Sequence, residues 1–136
     1  MTEREQMKLS AFMGMAGILA RLGTCPRKQV GALIVMGGRV VSSGYNGAPP
    51  GLPHCNHSRF EVCETATHAE LNAVVFAARH GISTEGGTVF VTLSPCVTCS
   101  RLLIAAGIRT VYYREEYRDA SGLELLESAD IRCWPL

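Results

Sequence analysis

The sequence predicts an α/β protein: a three-layer α/β/α sandwich on a five-stranded mixed sheet whose last strands run parallel. Two observations carry this. Two apolar, β-branched runs flank a Gly37-Gly38 pair, and strand-like and helix-like segments then alternate to the end of the chain. The first pattern marks an antiparallel hairpin; the second marks helical crossovers that join parallel strands, with helices on both faces of one sheet. The 136 residues suit a single domain over 1–136, long enough to bury a core without disulfides.

Each element has a local cause. Thr2-Glu3-Arg4-Glu5 has the spacing of a capping box, and Met7, Phe12, Met15, Ile18, Leu19 and Leu22 recur at near-helical intervals. The first helix is therefore expected to run through Leu22 and end at Gly23, with Pro26 barring its continuation. Val30–Met36 and Arg39–Tyr45 are the hairpin strands, joined by two glycines that tolerate positive φ. Residues 46–66, rich in Gly, Pro, Asn and His, form a long loop, a length that in compact domains marks function or an external constraint.

Thr67 is placed as N-cap of a helix from His68 to His80, terminated by Gly81. Its apolar residues surround the axis, which predicts burial on more than one side. Thr88–Leu93 is a strand, and Ser94-Pro95 opens a helix with proline in the first turn, closed by Gly107. The strand Arg109–Tyr113, a helix around Leu123–Glu127 and the short strand Ile131–Trp134 complete the order.

Composition narrows the function classes. Charged residues are 18% of the chain and hydrophobic ones 47%, a shortage of charge against the typical ~25% that predicts faces buried in a homo-oligomer. A net charge of +1 offers no footprint for a polyanion, so a small-molecule substrate is expected and no nucleic acid. No apolar run reaches the ~18 residues of a membrane span, and Met1-Thr2-Glu3-Arg4-Glu5 does not resemble a signal peptide. The expected location is cytoplasmic, where six cysteines are metal ligands or buried thiols rather than disulfides.

His68-Ala69-Glu70 followed by Pro95-Cys96-Val97-Thr98-Cys99 is the segment pair that carries chemistry. One imidazole and two thiolates would leave the fourth position of a tetrahedral zinc open to water, as catalytic rather than structural sites do. Glu70, two residues after the histidine, is placed for general acid/base work beside that water. Cys96 and Cys99, at i and i+3 on one face of a first turn, lie where helix-start amides favour thiolates. A lone Cys-x-x-Cys is as often a redox pair or half of a zinc knuckle. Joined in this order, the two halves match the signature of zinc-dependent nucleobase deaminases.

From about Met7 to Trp134 the chain resembles the deoxycytidylate (dCMP) deaminases, a branch of the cytidine deaminase-like superfamily. Val30-Gly31-Ala32-Leu33-Ile34-Val35, Gly44-Tyr45-Asn46-Gly47-Ala48-Pro49, His68-Ala69-Glu70-Leu71-Asn72-Ala73 and the segment from Val91 to Cys99 carry the likeness, with Ala106-Gly107-Ile108. The resemblance implies the five-stranded cytidine deaminase-like fold and zinc-dependent hydrolysis of dCMP to dUMP and ammonia, feeding thymidylate synthesis. His68, Cys96 and Cys99 would hold Zn²⁺, and Glu70 would be catalytic.

By the same resemblance the Ala69 amide lies near the base carbonyl O2 and Asn46 near the sugar hydroxyl, although Asn46 before Gly47 also reads as a turn residue. Arg27, Lys28 and Tyr117 are phosphate-binding candidates, against the reading of an ordinary solvated loop. A second, structural zinc is implied for Cys25, Cys55 and Cys63 with His57, favoured over His54; free thiols are the alternative. Cys133 reads as a buried apolar residue and His80 as a helix-end cap. The resemblance also implies a homohexamer, with dCTP and Mg²⁺ activating and dTTP inhibiting near Gly44-Tyr45-Asn46-Gly47. Two other readings stand: a deaminase of a free nucleoside or base, such as cytidine or guanine, and a noncatalytic zinc-stapled assembly module, against which an unligated Glu70 argues.

Overall fold

Thr2 starts the first helix as its spacing requires. In the computed structural model, which describes residues 1–136, α1 spans Glu3–Ala20. The Thr2 hydroxyl accepts from the Glu5 amide, and the Glu5 carboxylate accepts from the Thr2 amide. α1 stops short of Leu22, and Gly23 supplies no left-handed turn. Gly23 is buried instead because a Cβ there would lie 2.5 Å from the Asn46 side-chain oxygen.

The face that α1 turns inward differs from the expected stripe. Phe12, Met13, Ala16 and Leu19 meet the sheet, while Met7, Met15, Ile18 and Leu22 stay exposed. Close approach decides this. Any Cβ on Gly31 would strike the Ala16 carbonyl and the Ala20 amide, so the sheet accepts the side of the helix that carries small residues.

β1 (Gly31–Met36) and β2 (Arg39–Tyr45) form the hairpin, with Gly37 and Gly38 at φ 56° and 76° as the turn demands. A bulge shifts the register between Ile34, opposite Ser42, and Val35, opposite Val40. β3 (Thr88–Leu93), β4 (Thr110–Glu115) and β5 (Arg132–Pro135) complete a sheet ordered β2-β1-β3-β4-β5. β1 is antiparallel to β2 and β3, whereas β3–β4 and β4–β5 are parallel.

The period-two alternation of the strands separates two cores. Ala32, Ile34, Val89, Val91 and Val111 face α2 (Ala69–Arg79), α3 (Val97–Ala105) and α4 (Ser121–Ser128). Leu33, Val35 and Phe90 face α1, where Phe90 packs between Phe12 and Tyr112 with ring centroids 5.3 and 5.1 Å away. The result is the three-layer sandwich expected, with α1 alone on one face.

Two helix starts differ from expectation. His68, not Thr67, caps α2, because Thr67 is drawn into an isolated bridge in which it and Gly47 exchange amide-to-carbonyl bonds of 2.7 and 3.1 Å. Cys96 caps α3 through its sulfur, which receives the Cys99 amide, so Pro95 precedes the cap rather than lying in the first turn. α2 and α3 do end ahead of left-handed glycines, Gly81 at φ 67° and Gly107 at φ 78°. α2 is covered on one side only: Val75 is 51% exposed and Phe76 48%. No helix is long and apolar enough to cross a membrane.

Two glycine substitutions should separate close packing from helix propensity. Gly31→Ala is expected to lower stability by about 1–3 kcal/mol through overpacking. Gly14→Ala, with open space around it, should raise stability by roughly 0.5–1 kcal/mol. Urea midpoints at unchanged m-value measure both.

Candidate active site

The site lies where β3 and β4 end and α2 and α3 begin, the carboxyl edge at which open α/β sheets hold ligands. Both helix caps are extended, His68 at φ −68°, ψ 152° and Cys96 at φ −71°, ψ 172°. Each cap therefore leaves its side chain at a helix start. There His68 Nδ1 lies 3.4 Å from the Cys99 sulfur and 3.6 Å from the Cys96 sulfur. Bond lengths of about 2.3 Å to sulfur and 2.0 Å to nitrogen around a tetrahedral zinc require nitrogen–sulfur edges of about 3.5 Å, so this donor set fits the metal.

Electrostatics at the cluster point the same way. Hydrogen bonds from Cys99 and His68 bring the Cys96 thiol down to about 4, while the neighbouring Cys96 sulfur pushes Cys99 up. A divalent ion bound here would let both sulfurs act as thiolates. Cys96 also raises His68. Glu70, 5% exposed, is the second residue of α2, and burial pushes its carboxyl up to about 7. A carboxyl poised near neutrality can both take and give a proton. The amide of Ala69, the first residue of α2, is one of the donors a helix start leaves without an intrahelical acceptor.

A cavity of about 370 Å³ opens over this cluster. His68, Ala69, Glu70 and Cys96 line its metal end, and Arg27, Lys28, Asn46 and Tyr117 line it as well, so all the sequence-predicted substrate residues meet at one cavity. Two features were not foreseen. Lys28 Nζ pairs with Glu115 at 2.9 Å, and Ser94 lines the cavity while its hydroxyl accepts the Tyr117 amide at 2.7 Å. No motif spacing marks Glu115, and the sequence marks Ser94 only as a helix opener within the Val91–Cys99 segment, not as a cavity residue.

Asn46 is buried and occupied by backbone. Its side-chain oxygen accepts from the Val30 amide at 2.8 Å, and its side-chain nitrogen donates to the Lys28 carbonyl at 2.5 Å. It thus fixes the segment that carries Arg27 and Lys28 to the cavity.

Residues 6–115 match the family described as the cytidine and deoxycytidylate deaminase zinc-binding region. The chain belongs to this family. It is 39% identical over 125 residues to ComE operon protein 2 of Bacillus subtilis, a match covering 88% of this chain and 66% of that protein. It is 36% identical over 120 residues to the deoxycytidylate deaminase of Mycobacterium phage D29, covering 77% and 92% of the two chains. Among solved structures, dCMP deaminase from the cyanophage S-TIM5, in complex with dCMP and dUMP, superimposes with a TM-score of 0.91 at 32% identity, over 100% of this chain and 99% of that one. The five-stranded sheet is the fold of that enzyme.

Within this family frame the remaining cysteines sort themselves by position. Cys25, Cys55, His57 and Cys63 form a second group whose donor atoms lie within 4.8 Å of one another; His54 is not part of it. The Cys55 and Cys63 sulfurs are 3.5 Å apart, and Cys25 is 3.7 Å from His57 Nε2. The other ring nitrogen of His57 lies 2.7 Å from the Ser58 carbonyl; donating there would leave Nε2 free to bind. Although burial opposes it, the Ala66 and Thr65 amides and the His57 ring bring Cys63 down to about 6. Three sulfurs and one nitrogen make a closed zinc set. Cys63 and Val62 also line the cavity, so this group is continuous with the cavity wall.

Cys133 is half-buried, and desolvation pushes its thiol up to about 11. His80 lies against the Phe76 carbonyl at 3.0 Å and stacks on the Phe76 ring, a helix-end role. In the Gly44-Tyr45-Asn46-Gly47 segment, the Tyr45 carbonyl accepts from Asn72 and only Asn46 reaches the cavity.

Metal stoichiometry separates the two groups. The protein as purified is expected to hold two zinc ions per chain, Cys96→Ala and Cys55→Ser each to hold one, and Glu70→Gln to keep both. Plasma emission spectrometry on the three variants checks this, and one ion per chain in both wild type and Cys55→Ser would leave the second group as thiols.

Proposed function

We propose that this chain catalyses the zinc-dependent hydrolytic deamination of dCMP to dUMP and ammonia, supplying thymidylate synthesis. One observation carries the reading: a buried, unligated Glu70 beside a one-histidine, two-cysteine donor set, at the inner end of a cavity that Arg27 and Lys28 also line. His68, Cys96 and Cys99 would hold the zinc, which when bound lowers the pKa of water towards neutrality.

The protein side chains do the rest. Glu70 would carry one proton from water to ring N3, then take the second from the hydroxyl added at C4 and pass it to the departing amine. The C4–N4 bond breaks, ammonia leaves, and the water oxygen remains on C4. Ala69 donates its amide to the base carbonyl O2. Arg27, Lys28 and Tyr117 hold the 5′-phosphate, and Asn46 keeps Lys28 in place while its remaining hydrogen-bonding capacity serves the sugar hydroxyl. A deaminase of free nucleosides or bases has no use for two cations at its cavity, and a metal staple has none for a buried carboxyl near neutrality.

The second donor group is read as a structural zinc that pins loop 46–66 to the end of α1. Assembly and control belong to the same proposal. The exposed Met15 and Ile18 on α1, and Val75 and Phe76 on α2, support a homo-oligomer, with a hexamer favoured. dCTP with Mg²⁺ would activate it and dTTP inhibit it near Gly44-Tyr45-Asn46-Gly47.

A panel of dCMP, CMP, dCTP and deoxycytidine tests the substrate, with dCMP expected to give the highest kcat/KM and Glu70→Gln to lose at least about 10²-fold in turnover on it. Equal rates on deoxycytidine and dCMP would refute the nucleotide reading. Saturation by dCMP should be sigmoidal alone and hyperbolic with dCTP and Mg²⁺, since an effector that favours the active state removes the population cost of reaching it. Curves indifferent to dCTP and dTTP would remove the regulatory part alone.

A further inference from the structure

Ser94 is 3% exposed yet lines the cavity. A hydroxyl has one donor and two acceptor positions. Here the oxygen accepts the Tyr117 amide at 2.7 Å, and no protein group accepts its proton. Burying a polar hydrogen without a partner is unfavourable, so its partner is expected to come from the cavity.

The bonds around Ser94 say which end of the cavity it serves. Its own amide donates to the Glu115 carbonyl at 2.8 Å, the Glu115 carboxylate holds Lys28 at 2.9 Å, and Tyr117 completes the set. Ser94, Glu115, Tyr117 and Lys28 are thus one bonded group, and Glu115 already presents an anion to Lys28 there. An amide that donates to a hydroxyl oxygen polarises its O–H and strengthens it as a donor, most of all towards a charged acceptor.

We infer that the Ser94 hydroxyl donates a hydrogen bond to the 5′-phosphate of the substrate and so helps determine specificity for a nucleotide over a nucleoside. This rests on the reading of the chain as a dCMP deaminase. Ser94 lies two residues before Cys96, so the same short segment serves the zinc set with its cysteine and the phosphate with its serine.

Steady-state kinetics on zinc-loaded Ser94→Ala and Ser94→Cys proteins, with dCMP and deoxycytidine as substrates and dUMP as inhibitor, test the inference. Loss of one hydrogen bond to a charged group should raise KM for dCMP by about 10-fold or more, with a smaller change in kcat. The inhibition constant of dUMP should rise by a similar factor, and kcat/KM for deoxycytidine should fall far less than that for dCMP. Ser94→Cys is nearly isosteric and a poor donor, so it carries the test if Ser94→Ala does not fold.

Equal losses on dCMP and deoxycytidine, with reduced zinc content or an altered cobalt(II) absorption spectrum, would show a hydroxyl that only holds Tyr117 and the turn before Cys96, and would overturn the inference. An unchanged KM for dCMP in both variants would overturn it as well. Wild-type protein that does not deaminate dCMP would overturn the functional reading itself, a result distinct from either.

Discussion

Gly44 lies beneath the Ala69 carbonyl and the Ala73 amide, and Gly122 lies against the Pro95 carbonyl. These backbone contacts fix where α2 begins and where the turn into α3 sits. No side chain fits at either place, so each helix meets its neighbour at the closest distance a chain allows. The donor atoms of the metal set depend on that closeness, because His68 and Cys96 are themselves the caps. A shift of one helix by the width of a methyl group would separate nitrogen from sulfur and dissolve the set.

The same construction explains the balance of charge. Two helix starts meet at one small volume, where hydrogen bonds from Cys99 and His68 favour a thiolate at Cys96. Glu70 enters that volume from α2, and burial works against its charge. One fold position thus stabilises negative sulfur and withholds charge from carbon-bound oxygen a few atoms away. A sulfur at the start of α3 and a carboxyl at the start of α2 receive these opposite treatments because the two helix starts meet there.

Much of this was legible in the sequence. The hairpin was readable because Gly37-Gly38 admits few other conformations, and the crossovers because polar punctuation falls between apolar runs. The clustering of His68, Cys96 and Cys99 was readable because chemistry restricts which residues serve as soft metal donors. The inward face of α1 was misjudged because large apolar residues were weighed above small ones, whereas Gly31 demands Ala16 and Ala20 beneath the helix. The caps of α2 and α3 were misplaced by one and two residues because Thr67 and Pro95 have strong local preferences that a long-range bridge and a sulfur cap override. The Lys28–Glu115 pair spans 87 residues, and no local signal announces such a contact.

Position along the chain also divides the molecule by tolerance to change. His68, Cys96, Cys99 and Glu70 lie at helix starts locked by backbone contact, whereas Arg27, Lys28, Val62, Cys63 and Tyr117 reach the cavity from connecting segments. Loops accept insertion and substitution far more readily than packed helix ends. Substitutions in those segments are expected to alter which molecule is admitted sooner than whether the donor cluster forms. A lineage built this way inherits its chemistry as a fixed part and its substrate as a negotiable one.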